Sequence, residues 1–308
     1  MQEIYWHLPG ICSFFTLHQT LLRLMKEEPY RFRDGYRIGS VYGTFPGAIW
    51  NGGRAVLGTA TKKNITAIIS AYNSFGIPVR FTWTNPLIEE KHVYDTYCNQ
   101  IMEWGSLEGR IEKKGVAGTV HNQVLVNSPA LEKYLRENYP DYEFLSSTTK
   151  RITGLDGIKA ELAGDYLLVV LDYDLNKDEE ILTALEPEAG RIELLVDEIC
   201  CPHCPKRKDH YADEGLKQMT FDSESIFPCF NSTKVPSFSV SKSRPAFIGN
   251  EDLPRYIERG YVNFKLVGRG LPPQMLVESI CYYLPKEEER EYVRKKLEAA
   301  GHRAPAGR

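Results

Sequence analysis

The chain has 308 residues, of which 26% are charged and 42% hydrophobic, and its net charge is −3. That balance excludes a fibrous or disordered chain, and it lacks the basic excess that would point to nucleic acid as a partner. No apolar run approaches the roughly 18 residues of a membrane-spanning helix, and "MQEIYWHLPG" has neither the basic region nor the apolar core of a signal peptide, so the expected compartment is the cytoplasm.

In chain order, apolar β-rich segments alternate with helix-like ones. "EIYWH" is followed by a helix near 14–27, "YRIGSVYG" by one near 60–75, "PVRFTWT" by one near 86–105, and "NQVLVNS" by one near 129–139. "YEFLSST" precedes a helix near 154–163 and "YLLVVLDYD" one near 177–186. "RIELLVDE" leads into a long connection over 205–246 and a helix near 251–259; "VNFKLVGR" leads into helices near 272–283 and 286–299. Strands separated by helices pair in parallel, because each crossover needs a dozen or more residues. Eight such units predict one α/β domain over residues 1–300: a closed (β/α)8 TIM-like barrel with a cysteine-bearing loop between strands seven and eight, then a disordered tail over 301–308. An open doubly wound sheet is the rival fold, but the first turn, "HLPGICSFF", lacks its Gly-x-Gly-x-x-Gly fingerprint. "GTFPGAIWNGGRAVLG", residues 43–58, holds five glycines and reads as a flexible lid or ligand-binding loop.

In a barrel the active site forms at the C-terminal ends of the strands. Polar residues cluster there: His7; Ser40 and Tyr42; Thr84 and Asn85; Asn127 and Ser128; Ser146, Ser147 and Thr148. The later strands end in Asp172, Asp174 and Asn176, in Asp197 and Glu198, and in Lys265 and Arg269. Period-two alternation puts Asp172 and Asp174 on one face of strand six, and Asn263, Lys265 and Arg269 on one face of strand eight. Lys265 inside an apolar strand must be paired or reach the polar mouth, since a lone buried ammonium is very costly. It either pairs with an aspartate to close the barrel or, with Arg269, holds an anionic group of a small substrate. His7 is either a base or a hydrogen-bonded structural residue.

Cys200, Cys201 and Cys204 fall within five residues, and Cys229 lies on the same long connection. Seven cysteines without a secretion signal argue against a disulfide framework. Four thiols suit zinc or an iron–sulfur cluster, although neighbouring Cys200 and Cys201 can hardly serve one centre together. His210 or Asp197 is a further candidate ligand. A thiolate nucleophile near Lys206 and Arg207 is the other use of such a cluster.

The pairing of "ELLVDEICCPHCPKRKDHY" with "EDLPRYIERGYVNFKLVGRG" resembles the collagenase-like peptidase family, U32. In that family an E-L-x-V strand precedes a cysteine-bearing loop, and a terminal strand reads x-x-K-I-E-G-R. Here the terminal strand reads Lys265-Leu266-Val267-Gly268-Arg269, with Val267 where the family usually has an acid. The resemblance covers mainly residues 190–285. It implies a β/α barrel and, by analogy with relatives that bind a 4Fe-4S cluster, oxygen-independent hydroxylation or related redox chemistry on a small polar or anionic substrate, with an electron donor as partner. Cys200 or Cys201, with Cys204 and Cys229, would be the cluster ligands, and Lys265 and Arg269 would line the site. The family's RNA-acting members carry further C-terminal domains that this chain, ending soon after strand eight, lacks, so nucleic acid is not the expected substrate. Two alternatives stand beside this: a peptidase-type hydrolase using a metal-bound water or a thiolate, and a non-enzymatic binding protein clamped by zinc. His7, Asp172, Asp174, Lys265 and Arg269 are the candidate catalytic residues. The sequence does not reveal an oligomeric state.

Overall fold

The computed structural model describes residues 2–229, 236–268 and 270–301. Eight parallel strands close into one barrel in sequence order: β1 (Ile4–Pro9), β2 (Tyr36–Gly43), β3 (Val79–Trp83), β4 (Gln123–Val126), β5 (Glu143–Ser146), β6 (Leu168–Val170), β7 (Ile192–Leu195) and β8 (Asn263–Lys265). All eight expected strands form. Helices α1 (Phe15–Glu27), α2 (Lys62–Asn73), α3 (Thr96–Arg110), α4 (Pro129–Asn138), α5 (Leu155–Ala163) and α6 (Glu179–Leu185) make the first six crossovers. The β7–β8 connection contains α7 (Arg207–Thr220), α8 (Phe238–Lys242) and α9 (Leu253–Glu258), and α10 (Pro273–Tyr283) and α11 (Arg290–Gly301) complete the ring. Helix starts follow local chemistry: Ser128 caps α4 through Leu131 N–H, ahead of Pro129 in the first turn, and Asp178 caps α6 through Ile181 N–H.

Alternation along β3 shows how the barrel divides inside from outside. Phe81 and Trp83 stack on each other and pack outward among Phe45, Trp50 and Tyr142, while Arg80 joins a buried ion pair within the barrel. The interior has two halves. Leu125, Leu145, Leu168, Val170 and Leu195 form an apolar cluster on the β4–β7 side, and charged and amide groups fill the side of β1, β3, β7 and β8.

The structure corrects three expectations. Strand six is shorter than expected: it ends at Val170, and Asp172 instead caps a 3-10 turn over Tyr173–Leu175, so Asp172 and Asp174 do not share a strand face. The connection over 205–246 holds the 14-residue helix α7 rather than being mostly loop. Residues 43–58 are not a free lid: Trp50 is fully buried and donates to His92 O at 2.9 Å, and Asn85 N–H reaches Trp50 O at 3.1 Å. Helix α7 pins the same loop, because Gln218 Oε1 accepts from Asn51 Nδ2 at 3.1 Å and Val56 N–H at 2.7 Å, and Glu214 accepts from Ala55 N–H at 2.8 Å. Gly301 is the last residue of α11, and the rest of the segment expected as a tail, 302–308, lies outside the described residues.

Gly52 is where that loop meets β3. A Cβ there would lie 2.3 Å from the carbonyl carbon and oxygen of Thr84, and backbone cannot yield as a side chain can. Gly52→Ala is expected to lower stability by about 2 kcal/mol, the scale of an overpacked core, measured by urea unfolding; an unchanged midpoint would show that the loop is looser than its packing indicates.

Candidate functional site

The site is built on a buried charge cluster in the barrel. Glu193 of β7 is fully buried, ion-paired to Arg80 of β3 and, at 3.0 Å, to Lys265 of β8. Burial alone would raise its pKa, but the Arg80 and Lys265 charges outweigh that and hold it well below the carboxylate range. His7 lies within β1, with Nδ1 2.8 Å from Ser40 Oγ and 3.1 Å from an Arg80 nitrogen. A guanidinium only donates, so Nδ1 accepts and the proton sits on Nε2, 3.4 Å from both Glu193 Oε2 and Asn263 Oδ1. Burial, with the Arg80 and Lys265 charges, pushes the His7 pKa down to about 3, so the imidazole is neutral. Its place is made by Gly39: the β1–β2 register skips that residue, and a Cβ there would lie 2.7 Å from His7 Cε1.

Two cations facing one carboxylate leave the cluster one positive charge in excess. Lys265 carries it upward, 4.2 Å from the centre of the Tyr42 ring, and Tyr42 is itself fixed by donating to Leu266 O at 2.5 Å. Both residues line a cavity of about 500 Å³ at the C-terminal mouth of the barrel.

The strand-seven loop forms the wall. Glu198 lines the cavity, and its Oε1 accepts the backbone N–H groups of Ile199 (2.9 Å) and Cys200 (3.0 Å). Tyr173 and Cys200 line the same wall. Burial and the Glu198 charge push up the Tyr173 and Tyr211 phenols and the Cys200 thiol, so all three stay protonated at neutral pH. Arg207 stacks over Tyr173 at 3.9 Å and is held by Asp172 and Asp174, which also bind Arg151. Burial raises the Asp172 pKa; Asp174, despite burial, is lowered by Arg207 and the His203 N–H. Also lining the cavity, His210 lies parallel to Phe227 at 4.7 Å and faces Glu214, whose pKa falls to about 2 as His210 and Ala55 N–H outweigh burial.

Lys265 both pairs and reaches the mouth, its partner being Glu193 where an aspartate was expected. His7 is hydrogen-bonded beneath the cavity. Asp172 and Asp174 do not line the cavity; they fix Arg207, which does. Arg269 lies outside the described residues. Of the polar strand ends, Tyr42, Thr84, Ser147, Thr148, Glu198 and Lys265 meet at the cavity. Others serve the fold: Asn85 donates to Ile49 O and Gly215 O, and Asn176 to Leu195 O and Ala246 O. Asp197 is fully buried and accepts from Val267 N–H and the Ser279 hydroxyl, both at 2.7 Å; burial raises its pKa to about 7. Arg80 and Glu193 are absent from the sequence reading, although the argument applied to Lys265, a charge inside an apolar strand, identifies both.

No disulfide joins any of the seven cysteines. Cys200 and Cys229 line the cavity, whereas Cys201 does not, and its sulfur accepts from Arg244 at 3.8 Å. Among the described residues no three histidine, cysteine or acidic side chains converge closely enough to hold a metal ion.

No protein-family model matches the chain, and no curated protein matches it. Among solved structures, the U32 peptidase Mk0906 is similar: TM-score 0.51 and 13% identity, with 89% of this chain and 95% of that one covered. The likeness is distant and shows a common barrel fold along nearly the whole of both chains. Among the described residues, no helix is long and apolar enough to cross a membrane.

Removing the Glu193 charge leaves two buried cations facing each other. Glu193→Gln is expected to cost about 3–5 kcal/mol in chemical denaturation, and adding Lys265→Met should recover part of that loss. Additive losses in the double variant would show that Glu193 and Lys265 are not coupled.

Proposed function

We propose that the chain is a barrel enzyme acting on a small anionic substrate, bound at the C-terminal mouth with its anionic group on Lys265. The carrying observation is the Lys265 ammonium, held by buried Glu193 and directed into a cavity of about 500 Å³. Because Glu193, itself paired to Arg80, holds that ammonium in advance, little reorganisation accompanies binding. Glu198, with one oxygen fixed by two N–H groups, is the acid–base residue of this reading, and the protonated phenols of Tyr173 and Tyr211 are hydrogen-bond donors beside it. The similar structure is described as a peptidase. For this chain the thiolate form of that chemistry is not favoured, since a Cys200 thiol pushed up by burial and by Glu198 is the reverse of an activated nucleophile.

Lys265→Met is expected to weaken binding of inorganic phosphate and of short carboxylates at least about tenfold by calorimetry, with Glu198→Gln leaving that affinity within about threefold. Equal affinity in wild type and Lys265→Met would overturn the assignment.

A second reading is that Cys200, Cys204 and Cys229 carry a 4Fe-4S cluster, which would supply redox chemistry, or else structural zinc. What favours it is that Cys200 and Cys229, remote in sequence, line one cavity, while Cys204 is near enough to Cys200 to influence its ionisation. Binding would have to draw Cys204 and Cys229 toward Cys200. Anaerobic expression followed by iron, sulfide and zinc analysis is the test. Near-stoichiometric iron and sulfide, lost in Cys204→Ser, is the expected result; colourless, iron-free protein after reconstitution would sink the cluster, and one tightly held zinc would replace it with the zinc form.

A further inference from the structure

Among the described residues, two threonines of the cavity lining, Thr84 and Thr148, carry a buried hydroxyl with no hydrogen-bond partner. Thr84 is 1% exposed. It follows directly on β3, where Phe81 and Trp83 pack outward and Arg80 points inward, and it is part of the cavity lining. Thr148 lies just beyond the end of β5. A buried hydroxyl left unpaired is destabilising, and such groups in a native cavity call for a partner that the protein does not supply.

The ring order gives these groups a geometry. β3 and β5 flank β4, and in a closed ring of eight β4 stands across from β8. Lys265 therefore belongs to one side of the ring, and the chain segments that carry the two orphan hydroxyls follow strands on the other. Ser147 Oγ and Thr149 Oγ1, 2.8 Å apart, extend the hydroxyl side. Among the described residues, Arg80 and Lys265 face the single carboxylate of Glu193, and with Glu198 and Glu214 also in the lining a ligand of low negative charge suits the cavity better than a polyanion. A threonine hydroxyl both donates and accepts, which matches an alcohol, whereas an apolar tail would leave it unpaired.

Building on the reading that Lys265 anchors an anion, we infer that the cavity takes a small monoanion bearing several hydroxyl groups, of the sugar-acid class, with its carboxylate on Lys265 and its hydroxyls on Thr84 and Thr148. Glu198 then lies beside the ligand as a further acceptor for a hydroxyl group.

Calorimetric titration of the full chain with D-gluconate, hexanoate and sorbitol separates the two requirements. Gluconate is expected to bind at least about tenfold more tightly than either hexanoate, which keeps the charge, or sorbitol, which keeps the hydroxyls. Thr84→Val and Thr148→Val should each weaken gluconate about three- to tenfold while leaving hexanoate within about twofold, and Thr84→Ser should retain gluconate binding. Circular dichroism checks that each variant is folded. If gluconate and hexanoate bind alike, or if folded Thr84→Val binds gluconate as wild type does, the hydroxyl assignment is overturned while the Lys265 reading stands. If sorbitol binds as tightly as gluconate, if neither anion binds, or if Lys265→Met leaves gluconate affinity intact, the anion reading fails and this inference with it.

Discussion

Glu193 is a carboxylate at the centre of a barrel, with no access to water, and an ion so placed must be neutralised and hydrogen-bonded or the fold cannot afford it. Arg80 and Lys265 meet that demand from β3 and β8, and neutral His7 from β1 fills the remaining space. Four strands are thereby tied by charge as well as by their hydrogen-bonded neighbours. Gly39 is the backbone counterpart of the cluster, because the imidazole takes the space of its missing side chain. Barrel interiors are usually filled by layers of branched apolar side chains; here that filling survives only on the β4–β7 side.

From this constraint the shape of the candidate site follows. A lysine held at a fixed point by a buried carboxylate has little freedom, so its ammonium is a preorganised positive end at the cavity floor. The wall above it is fixed by a second charged device, in which Asp172 and Asp174 clamp Arg151 and Arg207. Arg207 begins α7 and donates to Cys201 O, so the same contacts set the course of the cysteine-bearing turn. Further along, α7 reaches the glycine-rich loop through Glu214 and Gln218. Cavity floor, wall and rim are thus joined by polar contacts rather than by an apolar core.

That polar construction explains why some of the molecule was hard to read in advance. The buried positions of α7 include Arg207, Gly215, Lys217 and Gln218, so the helix shows no apolar stripe, and its glycine is required by close approach to Asn85. The glycines of residues 43–58 suggested mobility, yet Gly52 is there because Thr84 leaves no room for a side chain. Asp172 and Asp174 looked like strand residues because "LLVVLDYD" continues the apolar run; the chain turns when the Asp172 side chain captures the Asp174 N–H.

The amino-acid sequence by itself determined the eight strands, most of the helices and the closed barrel, because hydrophobic periodicity and crossover length are local properties that survive without knowledge of neighbours. It also marked Lys265, Thr84, Thr148 and Glu198 as polar groups at strand ends. Only the tertiary structure decided which carboxylate answers Lys265, which of Cys200 and Cys201 faces the cavity, and which polar groups are consumed by the fold and which remain for a ligand. Those outcomes depend on pairing across the barrel between residues more than a hundred positions apart, such as Arg80 and Glu193. A charge in a strand announces that it needs a partner; only closure of the ring says which partner it has.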